Sequence, residues 1–284
     1  MRQQTEDTGI DPGELDWFLS WVTDLDSLTL KLDLLRQLPE VSLKLSMHEL
    51  SRLWQQRLQE RVPVQYLVGY TTWRNFTLQV SPSVLIPRPE TELIIDLVVQ
   101  AVKASPHQDH LRRGTWVDMG TGSGAIALAL AETFPQASII AVDQSREALV
   151  TAEQNARDQG LCDRITFRQG HWFEPIELTQ SLCGLVSNPP YIPTAILNTL
   201  QPEVARHEPA AALDGGEDGL NHIRTLAHRA PAYLTSGGIW MVEIMAGQGE
   251  AVRSVLAQTQ RYRDIQIHHD LAGLDRFVLA YRQS

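Results

Sequence analysis

The chain has 284 residues, 43% of them hydrophobic, enough to fill one large core and a small second one. A net charge of −10 argues against a protein that works through a broad basic footprint on nucleic acid; it suits a basic protein partner, although solubility alone also explains it. The two cysteines, Cys162 and Cys183, exclude a disulfide framework and lack metal-ligand spacing, which fits a reducing compartment.

Residues 1–9 are polar and carry no apolar targeting core, and the apolar run 125–131 is too short to span a bilayer, so a cytoplasmic protein with no membrane segment is expected. Residues 11 to about 70 read as helical. Leu15, Phe18, Leu19 and Val22 form one apolar stripe, and Ser46 with Glu49 has capping-box spacing ahead of Leu50, Leu53, Trp54 and Leu58. Residues 28–45 between them are leucine-rich and are also read as helix. Phe76, Leu78 and Val80 alternate with Thr77 and Gln79 as in a strand. Ser81-Pro82-Ser83 signals a turn, and Val84-Leu85-Ile86 reads as the returning strand of a hairpin. In Pro87-Arg88-Pro89-Glu90-Thr91-Glu92, Thr91 is placed to cap a helix with Leu93, Ile94, Leu97 and Val98 on its apolar face; Arg88 and Glu90 either face a site from this rigid segment or, as charges beside a linker more often are, stay solvated.

The next stretch carries chemistry. Thr115-Trp116-Val117-Asp118-Met119 reads as a strand that enters Gly120-Thr121-Gly122-Ser123-Gly124, and an alanine-leucine helix leaves it. Glycines let the backbone approach a ligand closely, while a helix start presents free N–H groups. The pattern suits a nucleotide or nucleoside, and it also satisfies the dinucleotide fingerprint. The following strand ends at Asp143, where an acid commonly meets ribose hydroxyls; the competing reading is a cap for the helix over 145–156.

Leu185-Val186-Ser187 runs into Asn188-Pro189-Pro190-Tyr191. Prolines end the strand and place Asn188 at its carboxyl end, where open α/β sheets bind ligands. The Asn188 side-chain oxygen and the Pro189 carbonyl are two acceptors suited to a planar NH2 group, and Tyr191 adds an aromatic face. Hydride transfer has no use for such a grip, whereas methyl transfer to nitrogen does. Beyond it, residues 220–233 suit a helix, Gly237-Gly238 a turn, 239–244 a buried strand and 250–259 a helix. Residues 264–268 and 276–281 suit a terminal antiparallel hairpin. His107, His110, His268 and His269 lack further ligands, so no metal site is expected.

These motifs resemble those of S-adenosylmethionine-dependent methyltransferases acting on planar nitrogens. With Pro63-Val64-Gln65-Tyr66-Leu67-Val68-Gly69, the segment 85–92, Glu208-Pro209, Leu213-Asp214-Gly215-Gly216, Asp218-Gly219-Leu220 and Glu243-Ile244, the chain from about residue 61 onward is similar to the peptide chain release factor N5-glutamine methyltransferases. The resemblance implies an α/β fold: a Rossmann-like class I methyltransferase domain over 91–284, a β-hairpin linker over 76–90 and a helical substrate-recognition domain over 1–75. It implies S-adenosyl-L-methionine as cofactor, its methionine portion at Gly120, Thr121, Gly122, Ser123 and Gly124, its ribose at Asp143 and its adenine against Trp172. Asn188 would lie between cofactor and substrate, with Pro189, Pro190 and Tyr191 completing the grip on the glutamine of a Gly-Gly-Gln loop in a class-one release factor. Position 171 is His where the family usually carries an acid toward the adenine amino group, and the region before Val62 departs from the family pattern. A glutamine methyltransferase for a ribosomal protein and a DNA adenine methyltransferase share the Asn-Pro-Pro-Tyr loop. Pro87-Arg88-Pro89-Glu90 favours the release-factor branch over the first, and the acidic balance disfavours the second.

Overall fold

The computed structural model describes residues 5, 8–32, 40–179 and 181–284, and the chain divides into two compact units. The first comprises Met1–Tyr70 together with Gln201–His207; the second comprises Thr71–Leu200 and Glu208–Ser284.

In the first unit, helix α1 (Pro12–Val22) buries Leu15, Phe18 and Val22, the expected stripe. Helix α2 (Met47–Gln55) starts on the predicted capping box, in which Ser46 Oγ accepts from Glu49 N and Glu49 returns a carboxylate to Ser46 N. Phe18 and Trp54 meet in the core with ring centroids 5.4 Å apart. Of the helix expected over 28–45, the described residues show Ser27–Lys31; residues 33–39 lie outside the described residues, and 40–45 are not helical. Here Leu43 bridges Thr23, while Lys44 donates its backbone N–H to Val22 O and its ammonium to Trp21 O, so the segment caps the end of α1. A π turn, Gln56–Glu60, extends α2. Within it Arg57, its side chain 4% exposed, bonds both oxygens of Glu14 and one of Glu203, the latter in the short helix Pro202–His207.

The second unit begins with a two-stranded sheet of β1 (Tyr70–Trp73) and β2 (Phe76–Gln79), joined through Arg74-Asn75. The hairpin therefore precedes the predicted turn. Val84-Leu85-Ile86 is not assigned to a strand; Val84 and Ile86 are buried, and Val84 and Leu85 line the cleft described below. Helix α3 (Leu93–Ala104) follows a 3-10 turn, Pro89–Glu92, without a side-chain cap. Thr91 is thus not the expected cap, because its hydroxyl is committed to Glu243.

The main sheet has seven strands: β3 (Thr115–Met119), β4 (Ser138–Asp143), β5 (Ile165–Gln169), β6 (Leu182–Ser187), β7 (Leu234–Glu243), β8 (Tyr262–His269) and β9 (Asp275–Arg282). Their spatial order is β5-β4-β3-β6-β7-β9-β8; the first five are parallel, and the antiparallel terminal hairpin inserts β9 beside β7. Alternation along the strands feeds two cores. Trp116, Ile139 and Met241 pack with α3 and with α4 (Ala125–Thr133) on one face. Val117, Ile140 and Trp240 pack on the other with helices α6 (Asn221–Arg229) and α7 (Gly249–Thr259). Helix α5 (Arg146–Asp158) links β4 to β5 and starts at Ser145, whose Oγ accepts from Ala148 N. The chain winds outward in one direction from β3 and in the other from β6, so the adjacent carboxyl ends of these two strands flank a topological switch point. The glycine loop leaves one and Asn188 leaves the other.

Candidate active site

The glycine loop takes its shape from two carboxylates. Asp118, fully buried on β3, accepts from Thr121 Oγ1 at 2.6 Å and from Ala127 N at 3.0 Å, closing the loop onto the first turn of α4. Burial, with Asp143 nearby, pushes its carboxyl up to about 7. Asp143 accepts from Gly122 N at 2.9 Å and from Ser145 N at 2.9 Å; burial raises its pKa while these N–H groups pull it back. The aspartate therefore serves the following turn, while the helix cap itself is Ser145. Gly120, Gly122 and Gly124 all have positive φ, which favours glycine. Gly124 needs it doubly, since a Cβ there would lie 3.1 Å from Ala152 Cβ.

Gly120, Thr121, Gly122 and Ser123 line one open cleft of about 1050 Å³ together with Asp143, Trp172, Asn188 and Pro190. Eight of the predicted site residues thus meet. Gly124, Pro189 and Tyr191 do not line it: Gly124 packs against α5, Pro189 is buried, and Tyr191 turns its hydroxyl to Glu243. Trp172 is held at φ 54°, only 7% exposed, and its Nε1 has no partner. His171 and His222 stand against the indole, with ring centroids 5.7 and 5.4 Å away. Burial lowers the His222 pKa, and its Nε2 meets Asp214 O at 3.1 Å.

Other residues at the cleft or behind it were assigned no role from the sequence. Arg88, read as a solvated charge, lines the cleft and pairs at 2.5 Å with Glu208, whose side chain is 1% exposed. Glu243 was read as the end of a strand and as part of the Glu243-Ile244 match, with no role of its own. It is 1% exposed and accepts from Thr91 Oγ1 at 2.6 Å and from Tyr191 OH at 3.0 Å. Burial lifts its carboxyl to about 7. Asn188 Nδ2 in turn donates to Thr91 Oγ1 at 3.3 Å. A carboxylate in an otherwise apolar strand is the signal that could have flagged Glu243; His222, a lone histidine on a helix, gave none.

The exit of the Asn-Pro-Pro-Tyr segment is strapped by residues 213–219. Ile192 N donates to Leu213 O, Gly215 N to Ile192 O, and Thr194 Oγ1 to Asp214. Gln248 Nε2 donates to Tyr191 O at 3.0 Å. Among the described residues no cluster of His, Cys, Asp or Glu could hold a metal ion, and both cysteines are free.

The cleft suits a nucleoside with an amino-acid tail. It joins a carboxylate with open acceptor capacity at a strand end, an indole with an unpartnered buried N–H, and a glycine whose absent Cβ faces open space at Gly122.

Residues 112–200 match the family model described as a methyltransferase domain. A release factor glutamine methyltransferase of Synechocystis sp. is 52% identical over 98% of this chain and 93% of its own length. One of Thermosynechococcus vestitus is 49% identical over 94% and 90%. Both alignments extend upstream of Val62 into the helical unit. Among solved structures, a methyltransferase from Pyrococcus furiosus shares the fold with a TM-score of 0.53 at 14% identity, covering 84% of this chain and all of that one. With a parallel sheet switching between β3 and β6, a glycine loop and an acceptor loop at that switch, and relatives alike over nearly its whole length, the chain belongs to the release factor glutamine methyltransferase family.

Proposed function

We propose that this chain is an S-adenosyl-L-methionine-dependent methyltransferase that methylates the side-chain amide nitrogen of the glutamine in the Gly-Gly-Gln loop of class-one release factors. One observation carries the reading: Asn188 and the glycine loop line the same cleft from neighbouring strand ends. An amide nitrogen is a weak nucleophile because its lone pair is delocalised, so the protein's task is to hold it in line with its methyl donor.

S-adenosyl-L-methionine supplies an electrophilic methyl group on a sulfonium. Asp143 is the acceptor for its ribose hydroxyls, Trp172 the apolar wall for its adenine, and residues 120–124 the backbone surface for its methionine portion. Asn188 Oδ1 holds one hydrogen of the substrate NH2 and fixes its plane, and the carbonyl of Pro189, a residue buried behind the cleft, is the acceptor proposed for the other. Pro190 walls the cleft beside them, and Tyr191 anchors the segment through its hydroxyl bond to Glu243. Loss of one N–H proton to solvent completes the exchange. No activated protein nucleophile is required. Orientation of this kind is worth roughly 7–11 kcal/mol in favourable cases. We assign recognition of the release factor to the helical unit, which exposes Leu28 and Met47 and also takes in Gln201–His207 from the chain that has just left the acceptor loop. We place the enzyme in the cytoplasm, where translation factors work; no helix among the described residues is long and apolar enough to cross a membrane.

Peptide mass spectrometry of a release factor incubated with the protein and S-adenosylmethionine tests this. One added methyl on the Gly-Gly-Gln glutamine, absent with Asn188→Ala, is expected; Asp143→Ala should chiefly weaken cofactor binding. An unmodified glutamine under conditions where the cofactor demonstrably binds refutes the substrate assignment.

A further inference from the structure

Glu243 divides its two oxygens between two hydroxyls. Oε2 accepts from Thr91 at 2.6 Å and Oε1 from Tyr191 at 3.0 Å. A hydroxyl has a single proton to donate, and an ionised carboxylate is acceptor-only. With the Thr91 proton committed to Glu243, Thr91 Oγ1 can meet Asn188 only as an acceptor, and Asn188 Nδ2 donates to it at 3.3 Å. That bond fixes the side-chain amide: its NH2 faces Thr91, and its oxygen is left for whatever enters the cleft.

We propose that Glu243 is a positioning residue which, acting through Thr91, sets the Asn188 amide so that its oxygen meets the substrate NH2. The inference rests on the methyl-transfer reading above and adds to it two residues, Thr91 on the wall of the cleft and Glu243 behind it. Through its second oxygen the same carboxylate holds Tyr191, so one buried group fixes the first and last residues of the Asn-Pro-Pro-Tyr segment. Were Glu243 protonated or replaced by an amide, one of its two partners would have to accept a proton. If that partner is Thr91, its own proton turns toward Asn188, the amide rotates, and NH2 then faces NH2.

The geometry also sets a pH dependence. Burial lifts Glu243 to about 7; Glu90 adds to the rise, while Thr91, Tyr191 and Arg276 oppose it. Arg276, from β9, is itself held by Asp270. A carboxyl with a raised pKa is ionised only above it, so the productive amide orientation is lost as pH falls through about 7.

The test uses the full chain with a release factor and S-adenosylmethionine. Thr91→Val and Glu243→Gln should each lower kcat on the order of 100-fold, the scale of removing one oriented polar group from a reacting centre. Cofactor Kd should change less than about twofold, and Thr91→Ser should retain turnover. Wild-type kcat in both variants overturns the proposal, as does a loss in Thr91→Ser equal to that in Thr91→Val. A second measurement needs no substrate: in the unaltered protein, the side-chain 15N–H2 signals of Asn188 should shift with the same midpoint as the Glu243 carboxyl 13C signal. If the carboxyl titrates and the Asn188 signals stay fixed, the coupling is overturned, whether or not a release factor is methylated. Coupled signals with no methylation of the release factor would support the positioning role while refuting the substrate assignment.

Discussion

Asn155 sits fully buried on α5, yet its consequences reach the glycine loop. Its Oδ1 accepts from Gln79 N at 2.6 Å, and its Nδ2 donates to Gln79 O at 3.1 Å and to Ser123 O at 2.8 Å. One amide therefore ties the edge of β2 to the loop that lines the cleft. Replacing Asn155 by Ala ends all three bonds. At about 1 kcal/mol net for each, with a further cost of about 1–3 kcal/mol for a polar group left buried at Ser123, the loss should be about 4–6 kcal/mol. Asn155→Asp should cost more near neutral pH, because it sets a carboxylate oxygen against two carbonyl oxygens at hydrogen-bond distance. That variant should recover as pH falls and the introduced carboxyl gains a proton it can donate. Urea unfolding gives the stability change, and the m-value checks that the unfolded state is unaltered. Isothermal titration with S-adenosylmethionine reads the loop, where a roughly tenfold weaker Kd is expected from one displaced positioning contact. A loss below about 1 kcal/mol in Asn155→Ala, or equal tolerance of Ala and Asp, would refute the idea that this amide couples hairpin and loop.

Three further outcomes follow from particular contacts. Asp118, raised from 3.8 to about 7, keeps a proton in the folded state that the unfolded chain releases, so stability falls as pH rises from about 4 to 7. At about 1.4 kcal/mol per unit this amounts to about 4 kcal/mol. Glu243 acts with the same sign, and Asp118→Asn should flatten the slope measured by urea unfolding between pH 5 and 8; an unchanged slope would count against it. Gly219→Ala places a Cβ 2.3 Å from Tyr191 O at a φ of +79°, so it should cost about 2–4 kcal/mol and lower turnover more than cofactor affinity. Near-parental activity would show that the strap over Tyr191 is dispensable. Arg57→Met leaves the Glu14 and Glu203 carboxylates without their shared cation, and it should destabilise the helical unit by roughly 3 kcal/mol in thermal unfolding.

What the sequence revealed and what it hid divide along the range of the contacts. The glycine loop was legible because its requirements are local: positive φ at three glycines within five residues, a strand before and a helix after. Asn188 was legible because two prolines end β6 on the spot. The capping box at Ser46 and Glu49 likewise needs only a three-residue span. Val84-Leu85-Ile86 misled because an apolar run after a turn signal reports only that side chains are buried, and a segment walling a cleft buries side chains as a strand does. The helix expected over 28–45 failed at its described far end because residues 43–45 hold the end of α1 through backbone bonds and the half-buried Leu45, neither of which needs a helical period. Glu243, Thr91 and Tyr191 could not be joined from sequence, since 152 and 52 residues separate the carboxylate from its partners. Asn155 looked like an ordinary polar position on an amphipathic helix; its Gln79 partner lies 76 residues upstream.

The density of motif beyond the acceptor loop has a physical reason. A nitrogen with a delocalised lone pair gives the enzyme little to activate, so rate depends on where the acceptors stand, and a displacement of about 1 Å can cost on the order of 100-fold. A loop that has just left its strand is the least constrained place to put such acceptors. The fold answers by holding this one from four sides. Pro189 and Pro190 stiffen the backbone, Glu243 and Thr91 hold the side chains of Tyr191 and Asn188, Gln248 holds the Tyr191 carbonyl, and residues 213–219 pair with the chain as it departs. Gly219 fits that arrangement only because it lacks a Cβ. The glycines at 215, 216 and 219 therefore shape the strap that holds the Asn-Pro-Pro-Tyr segment, although they lie outside the cleft.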